Sequence, residues 1–374
     1  MRKHTLWVAG SVFIATLTVS PALAQGQRLL ENSPANATNA IKTNSPNEPL
    51  TQLLREGRRL ANSGNVAGAL AAYQQAANLD KANPKIFAGI GFLYASQGNY
   101  DAALGAYQQA IALEPKNAEF HYALGFNLAS LGKNDEALSA YRQAILFKPR
   151  HANANLSMGV VLARQGKYDE AMNIYRRVTT IAPNNYKGFE LLGTSLIQLK
   201  RPQEAFIALQ QAARIAPKQG MARVHIGSAW LQLNNAEKAI ASFNKAVQLE
   251  PQNPNIQLQM GKSLQAAQRY DEALRAYQRA IALRPNLSEA QEGLGDIFFE
   301  QRNYSTATNF YRQYIATAPN DPNGHYKLAK ALKESGRKQE AVYALDQARN
   351  LTKAQGDTGN LMRDIDALMK ELRN

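Results

Sequence analysis

A period of 34 residues runs without insertion or deletion from Leu50 to Gln355, and nine copies fit it: 50–83, 84–117, 118–151, 152–185, 186–219, 220–253, 254–287, 288–321 and 322–355. A chain that repeats one short unit cannot close around a single core. It must bury the apolar face of each copy against the next. Numbering each copy from 1, position 8 is glycine in the first eight, from Gly57 and Gly91 to Gly295, and Ala329 in the ninth. Position 20 is alanine in every copy, from Ala69 to Ala341. Position 24 is large: Tyr73, Tyr107, Tyr141, Tyr175, Leu209, Phe243, Tyr277, Tyr311 and Leu345. Position 32 is proline from Pro115 to Pro319 in the inner copies and Lys81 and Lys353 in the end copies.

These choices have steric reasons in a pair of antiparallel helices. Small residues at 8 and 20 permit close approach, and the ring at 24 fills the gap beside them. Positions 20, 24 and 27 fall on one stripe of the second helix. Gly98, Gly132 and Gly166 suit a left-handed residue ending the first helix. Asp101, Asp135, Asp169 and Asp271 lie where the second helix begins, and are expected to satisfy its free amides. Proline at 32 stops the second helix.

Segments such as GFLYASQGNYDAALGAYQQAIALEP and MGVVLARQGKYDEAMNIYRRVTTIAP resemble the tetratricopeptide repeat. The resemblance implies an all-α fold: a right-handed α-α superhelix, a solenoid of nine helical hairpins whose inner wall is lined by first helices. The bulky residue usual at position 4 is replaced by Arg223, Gln257 and Gln291, and looser packing is expected there.

The flanks differ from the repeats. Residues 1–24 have the layout of a secretory signal: Arg2, Lys3 and His4, then an apolar stretch from Leu6 to Val19, then Ala22-Leu23-Ala24 before Gln25. The expectation is an exported protein, periplasmic or secreted, with a mature start at Gln25; an uncleaved anchor is the alternative. Residues 25–49 are rich in Asn, Pro, Ser and Thr and read as a flexible linker. Residues 356–374 form a capping helix, with Leu361, Ile365, Leu368 and Leu372 on one face.

Binding sites are sought on the first helices. At about 100° per residue, positions 2, 5, 9 and 12 form a stripe turned away from the 4, 7, 8, 11 stripe that meets the second helix. In copies two to four this free stripe is apolar where solvation alone would favour polar residues. Phe92, Tyr122, Phe126, Leu156 and Val160 are the candidate groove for a protein or peptide segment, unless neighbouring repeats or a homodimer bury them. Copy eight instead places Glu289, Glu292, Asp296 and Glu300 along its first helix, and copy nine answers with Lys330 and Lys333. These are candidate charged patches, or simply a solvated face. Position 9 contains no asparagine in any copy, which disfavours the carboxylate clamp of the resembled family.

Catalysis, cofactors and metals find no support. His121, His151, His225 and His325 do not share a repeat position, no cysteine is present, and the recurring glycines belong to helix packing. The formal charge is +14, but it is spread over repeats rather than gathered in a stripe, and no nucleic-acid partner is expected. Arg176, Arg177, Arg275, Arg279 and Arg312 on second helices leave weak contact with an anionic polymer, a carbohydrate or a membrane surface as the competing reading. The leading expectation is an extracytoplasmic scaffold for protein segments, within an envelope assembly.

Overall fold

A computed structural model describes residues 48–356 and 359–373. The signal segment and nearly all of the linker lie outside the described residues. Helix α1 begins at Glu48, so the repeat array starts two residues inside the stretch read as linker. The described residues form nineteen helices and no strand. The chain divides between Leu199 and Lys200 into two compact units.

Unit 1 contains α1 Glu48–Asn62, α2 Val66–Leu79, α3 Pro84–Ser96, α4 Tyr100–Leu113, α5 Ala118–Ser130, α6 Asn134–Phe147, α7 Ala152–Arg164, α8 Tyr168–Ile181 and α9 Tyr186–Gln198. Successive pairs from α1 and α2 to α7 and α8 form hairpins, and each second helix packs on the first helix of the next repeat. Unit 2 contains α10 Pro202–Ile215, α11 Met221–Gln232, α12 Ala236–Leu249, α13 Pro254–Ala266, α14 Tyr270–Leu283, α15 Ser288–Glu300, α16 Tyr304–Thr317, α17 Pro322–Glu334, α18 Lys338–Ala354 and α19 Asn360–Arg373. Here α11 to α18 pair as four hairpins, and α19 lays Ile365, Leu368, Met369 and Leu372 on the last of them.

The repeated residues do the packing. Every position-20 alanine is fully buried, and so is the position-24 side chain that follows it. A Cβ added at Gly159 would stand 2.5 Å from the Tyr175 ring, and one at Gly227 would stand 2.4 Å from Phe243. Where position 24 is aromatic, glycine at position 8 is therefore required by the ring beneath it, not by its backbone angles.

Two local expectations change. Where these second helices have a side-chain cap it is an asparagine at position 16, not the aspartate at position 18: Asn65, Asn99, Asn235 and Asn303 accept amide hydrogen bonds at the starts of α2, α4, α12 and α16. Helices α6, α8 and α14 begin after Lys133, Lys167 and Arg269, which provide no side-chain cap. Asp101, Asp135, Asp169 and Asp271 instead lie inside the first turn, where they complement the helix dipole. The substitutions at position 4 are also not loose: Gln257 and Gln291 are buried, and Arg223 is half-buried.

Candidate functional site

In repeats two to four the free stripe separates into a buried row and an accessible row. At position 5, Ala88, Tyr122 and Leu156 are all buried. The Tyr122 ring lies 5.0 Å from that of His151, which caps the next first helix, and 6.0 Å from Tyr141. Position 5 is thus part of the seam between repeats. At position 9, Phe92 is buried within the core of the first two repeats, whereas Phe126 and Val160 are half-buried. Ala95, Ala129 and Ala163, at position 12, are half-buried beside them. Of the five expected groove residues, Phe92, Tyr122 and Leu156 therefore belong to the supporting core, and only Phe126 and Val160 present partly open apolar surface.

The seam at repeats three and four is held by a small polar cluster. The His151 Nδ1 accepts the Ala154 amide at 3.2 Å, and its Nε2 lies 3.1 Å from Glu119 Oε2. With Nδ1 accepting, the hydrogen sits on Nε2 and is donated to the carboxylate. Lys148 Nζ donates to the other oxygen at 2.8 Å. Burial would raise the Glu119 pKa, but hydrogen bonds from His151 and Lys148 outweigh it and hold the carboxyl at about 2.

Half of the expected charged residues of repeats eight and nine, Glu292, Asp296 and Lys333, are engaged with ionic partners outside the expected set. Lys327, which the sequence reading passed over, places Nζ 2.5 Å from Glu292 Oε1 and 2.8 Å from Asp296 Oδ2. Tyr311 donates its hydroxyl to Asp296 at 2.8 Å. Burial alone would lower the ammonium pKa of Lys327; Asp296 and Glu292 raise it above its ordinary value. Lys333 is bonded to Glu371 of the capping helix at 2.5 Å. Lys330 has its ammonium 5.1 Å from the Phe299 ring centre and 5.8 Å from that of Tyr326. Glu289 and Glu300 remain exposed. The signal for Lys327 was available: position 6 of repeat nine faces positions 5 and 9 of repeat eight, both carboxylates.

First helices in unit 2 are also tied directly. Ser228 Oγ on α11 lies 2.6 Å from Ser263 Oγ on α13. On the second helices, Arg312 bonds to Glu340 at 3.1 Å and Arg177 donates to the Pro149 carbonyl at 3.0 Å, so the basic set is partly engaged within the fold. Among the described residues no helix is long and apolar enough to cross a membrane.

Stacked hairpins with an open apolar row define a helical-repeat scaffold. Tetratricopeptide repeat family models match residues 57–98, 91–129, 127–186, 186–219, 227–268 and 258–322. The chain belongs to the tetratricopeptide-repeat family. A solved tetratricopeptide repeat protein from Parabacteroides merdae shares 16% identity over 67% of this chain and 99% of its own, with a TM-score of 0.56. MamA from Desulfovibrio magneticus is 24% identical over 46% of this chain and 96% of its own, with a TM-score of 0.43. YrrB, described as a repeat protein with an unusual peptide-binding site, is 22% identical over 50% of this chain and 96% of its own, with a TM-score of 0.38. No match was found among curated proteins.

Proposed function

We propose that the protein is an exported scaffold that holds a protein or peptide segment on the accessible row of repeats two to four. The observation that carries this reading is the pair Phe126 and Val160, large apolar side chains left half-open at equivalent positions of adjacent first helices. Isolated apolar residues on a surface need no explanation. A register-matched pair flanked by small alanines offers a shallow groove in which an apolar side chain can be desolvated. The start of the chain, with its basic residues, apolar stretch and Ala22-Leu23-Ala24, supports the exported location.

A photo-crosslinking amino acid at Phe126, with another at Tyr343 as an exposed control in unit 2, tests the binding reading in the native host. The expected result is a discrete covalent adduct from the first position only. Equal adducts from both, or none from the first, would contradict it. N-terminal sequencing of exported material tests the location: Gln25 is the expected first residue, and a retained Met1 in the membrane fraction would replace cleavage with anchoring.

A further inference from the structure

The row around Phe126 and Val160 carries an unbalanced charge, and its source is Arg164. This residue follows Val160 by four positions, so the two side chains stand one turn apart on the same face of α7. Helix α5, which carries Phe126, lies against α7. Arg164 is half-buried, makes no ion pair with any described residue, and keeps its Nε buried without an acceptor. Its charge reaches Tyr175, whose buried hydroxyl also lacks an acceptor. The Arg164 guanidinium can only donate, whereas the Tyr175 hydroxyl both donates and accepts. An unsatisfied buried donor costs free energy, so the arrangement favours a ligand that brings an acceptor, most of all a charged one.

The carboxylates of the surrounding helices do not pair with Arg164. The first helices α3, α5, α7 and α9 carry two acidic residues, Glu119, bonded to Lys148 and His151, and Glu190, bonded to Lys187; Asp169 and Glu170 lie in the first turn of α8. The first helix of repeat eight, α15, makes the contrast: it carries four carboxylates, and Lys327 is drawn in between two of them. A guanidinium beside an apolar row, with no carboxylate of its own, complements an acidic group placed next to an apolar one.

We infer that the segment held by repeats two to four is acidic, with Phe126 and Val160 receiving an apolar side chain and Arg164 receiving an Asp or Glu carboxylate about one turn away from it. This rests on the scaffold reading above and names the chemistry of its partner. A guanidinium offers two parallel donors to a carboxylate, so the contact adds direction as well as charge.

Selection from a random twelve-residue peptide library on the full chain, followed by fluorescence anisotropy with the enriched peptides, tests it. The expected winners combine Phe, Leu or Ile with Asp or Glu, and bind more weakly as salt rises. Arg164→Gln should weaken them about tenfold, and changing the peptide's Glu to Gln should weaken them equally on the wild-type chain but not on that variant. Circular dichroism melts check that both Arg164→Gln and Phe126→Ala remain folded. If Phe126→Ala weakens binding while Arg164→Gln does not, the acidic partner is wrong and the groove stands. If neither variant matters, or no peptide is enriched, the groove itself fails.

Discussion

Units 1 and 2 are built from one 34-residue module and use it for different ends. In repeats one to four the residue that closes the hairpin turn is glycine, Gly64, Gly98, Gly132 and Gly166, with φ between 74° and 80°. In repeats five to eight the same place holds Lys200, Asn234, Gln268 and Arg302, with φ between 56° and 60°. The left-handed conformation is forced on side chains that resist it, and asparagine alone among them tolerates it readily. The first helices diverge in parallel. Unit 1 presents Phe126 and Val160 half-open, whereas unit 2 ties its first helices together through Ser228 and Ser263, and through Lys327 between Glu292 and Asp296. The difference teaches that one packing frame tolerates strain and charge, while the position-9 surface of its first helices is apolar in repeats three and four and charged in repeats seven to nine.

The largest expected effect tests whether the frame is shared. Tyr141→Ala in unit 1 and Tyr277→Ala in unit 2 each empty the gap beside a position-8 glycine, and should each cost about 3 to 5 kcal/mol of local stability. Hydrogen exchange resolved by repeat checks this, because a repeat array opens in segments. A marked inequality between the two would mean that the units do not rely on the same core.

Next comes the ion cluster. Lys327→Met leaves Glu292 and Asp296 facing each other without the cation, and about 3 kcal/mol should be lost from repeats eight and nine. No change in exchange there would reduce the cluster to surface decoration. A related loss is expected on deleting 357–374, which uncovers the face that Ile365 and Leu368 bury, and the last hairpin should fray first.

Much of this frame was legible before any coordinates, because position 8, position 20 and position 24 each admit few residue types and recur nine times. What escaped was anything set by the meeting of two repeats. Tyr122 shares the free stripe of an isolated helix with Phe126, and only the arrival of the next repeat, with His151 at its head, buries it. Lys327 was passed over for the same reason: its partners lie on the preceding first helix, and only comparing registers across two repeats brings it to them. The non-glycine turns in unit 2 could have been found from the register, but Lys200, Gln268 and Arg302 do not advertise a left-handed backbone.

Smaller effects sharpen the contrast between the turns. Gln268→Gly and Arg302→Gly should each stabilise unit 2 by about 0.5 to 1 kcal/mol, whereas Gly132→Ala and Gly166→Ala should destabilise unit 1 by about 1 kcal/mol. Opposite signs in the two units are the expected reading of exchange in the hairpins concerned, and equal signs would refute the strain argument. The smallest effect concerns acid. The Glu119 carboxyl is held at about 2, below its usual 4.5, so its contribution is fully present above about pH 4.5 and is lost as pH falls toward 2. Unit 1 should loosen at the seam of repeats three and four across that window, and Glu119→Gln should flatten the dependence. An unchanged acid profile in the variant would remove Glu119 from the account.

The central claim is that partners are held by the open row of unit 1 and not by the charged face of unit 2. The most direct measurement compares the affinity of a crosslinked and identified partner segment for Phe126→Ala and Lys330→Ala, with thermal melts of both beside Tyr141→Ala. Phe126→Ala should lose about 2 kcal/mol of binding, the usual scale for a central aromatic anchor, and should melt well above Tyr141→Ala. Lys330→Ala should bind within about twofold of wild type, as expected of a residue outside the contact. A greater loss from Lys330→Ala than from Phe126→Ala, or a Phe126→Ala chain that unfolds as readily as Tyr141→Ala, would contradict the account.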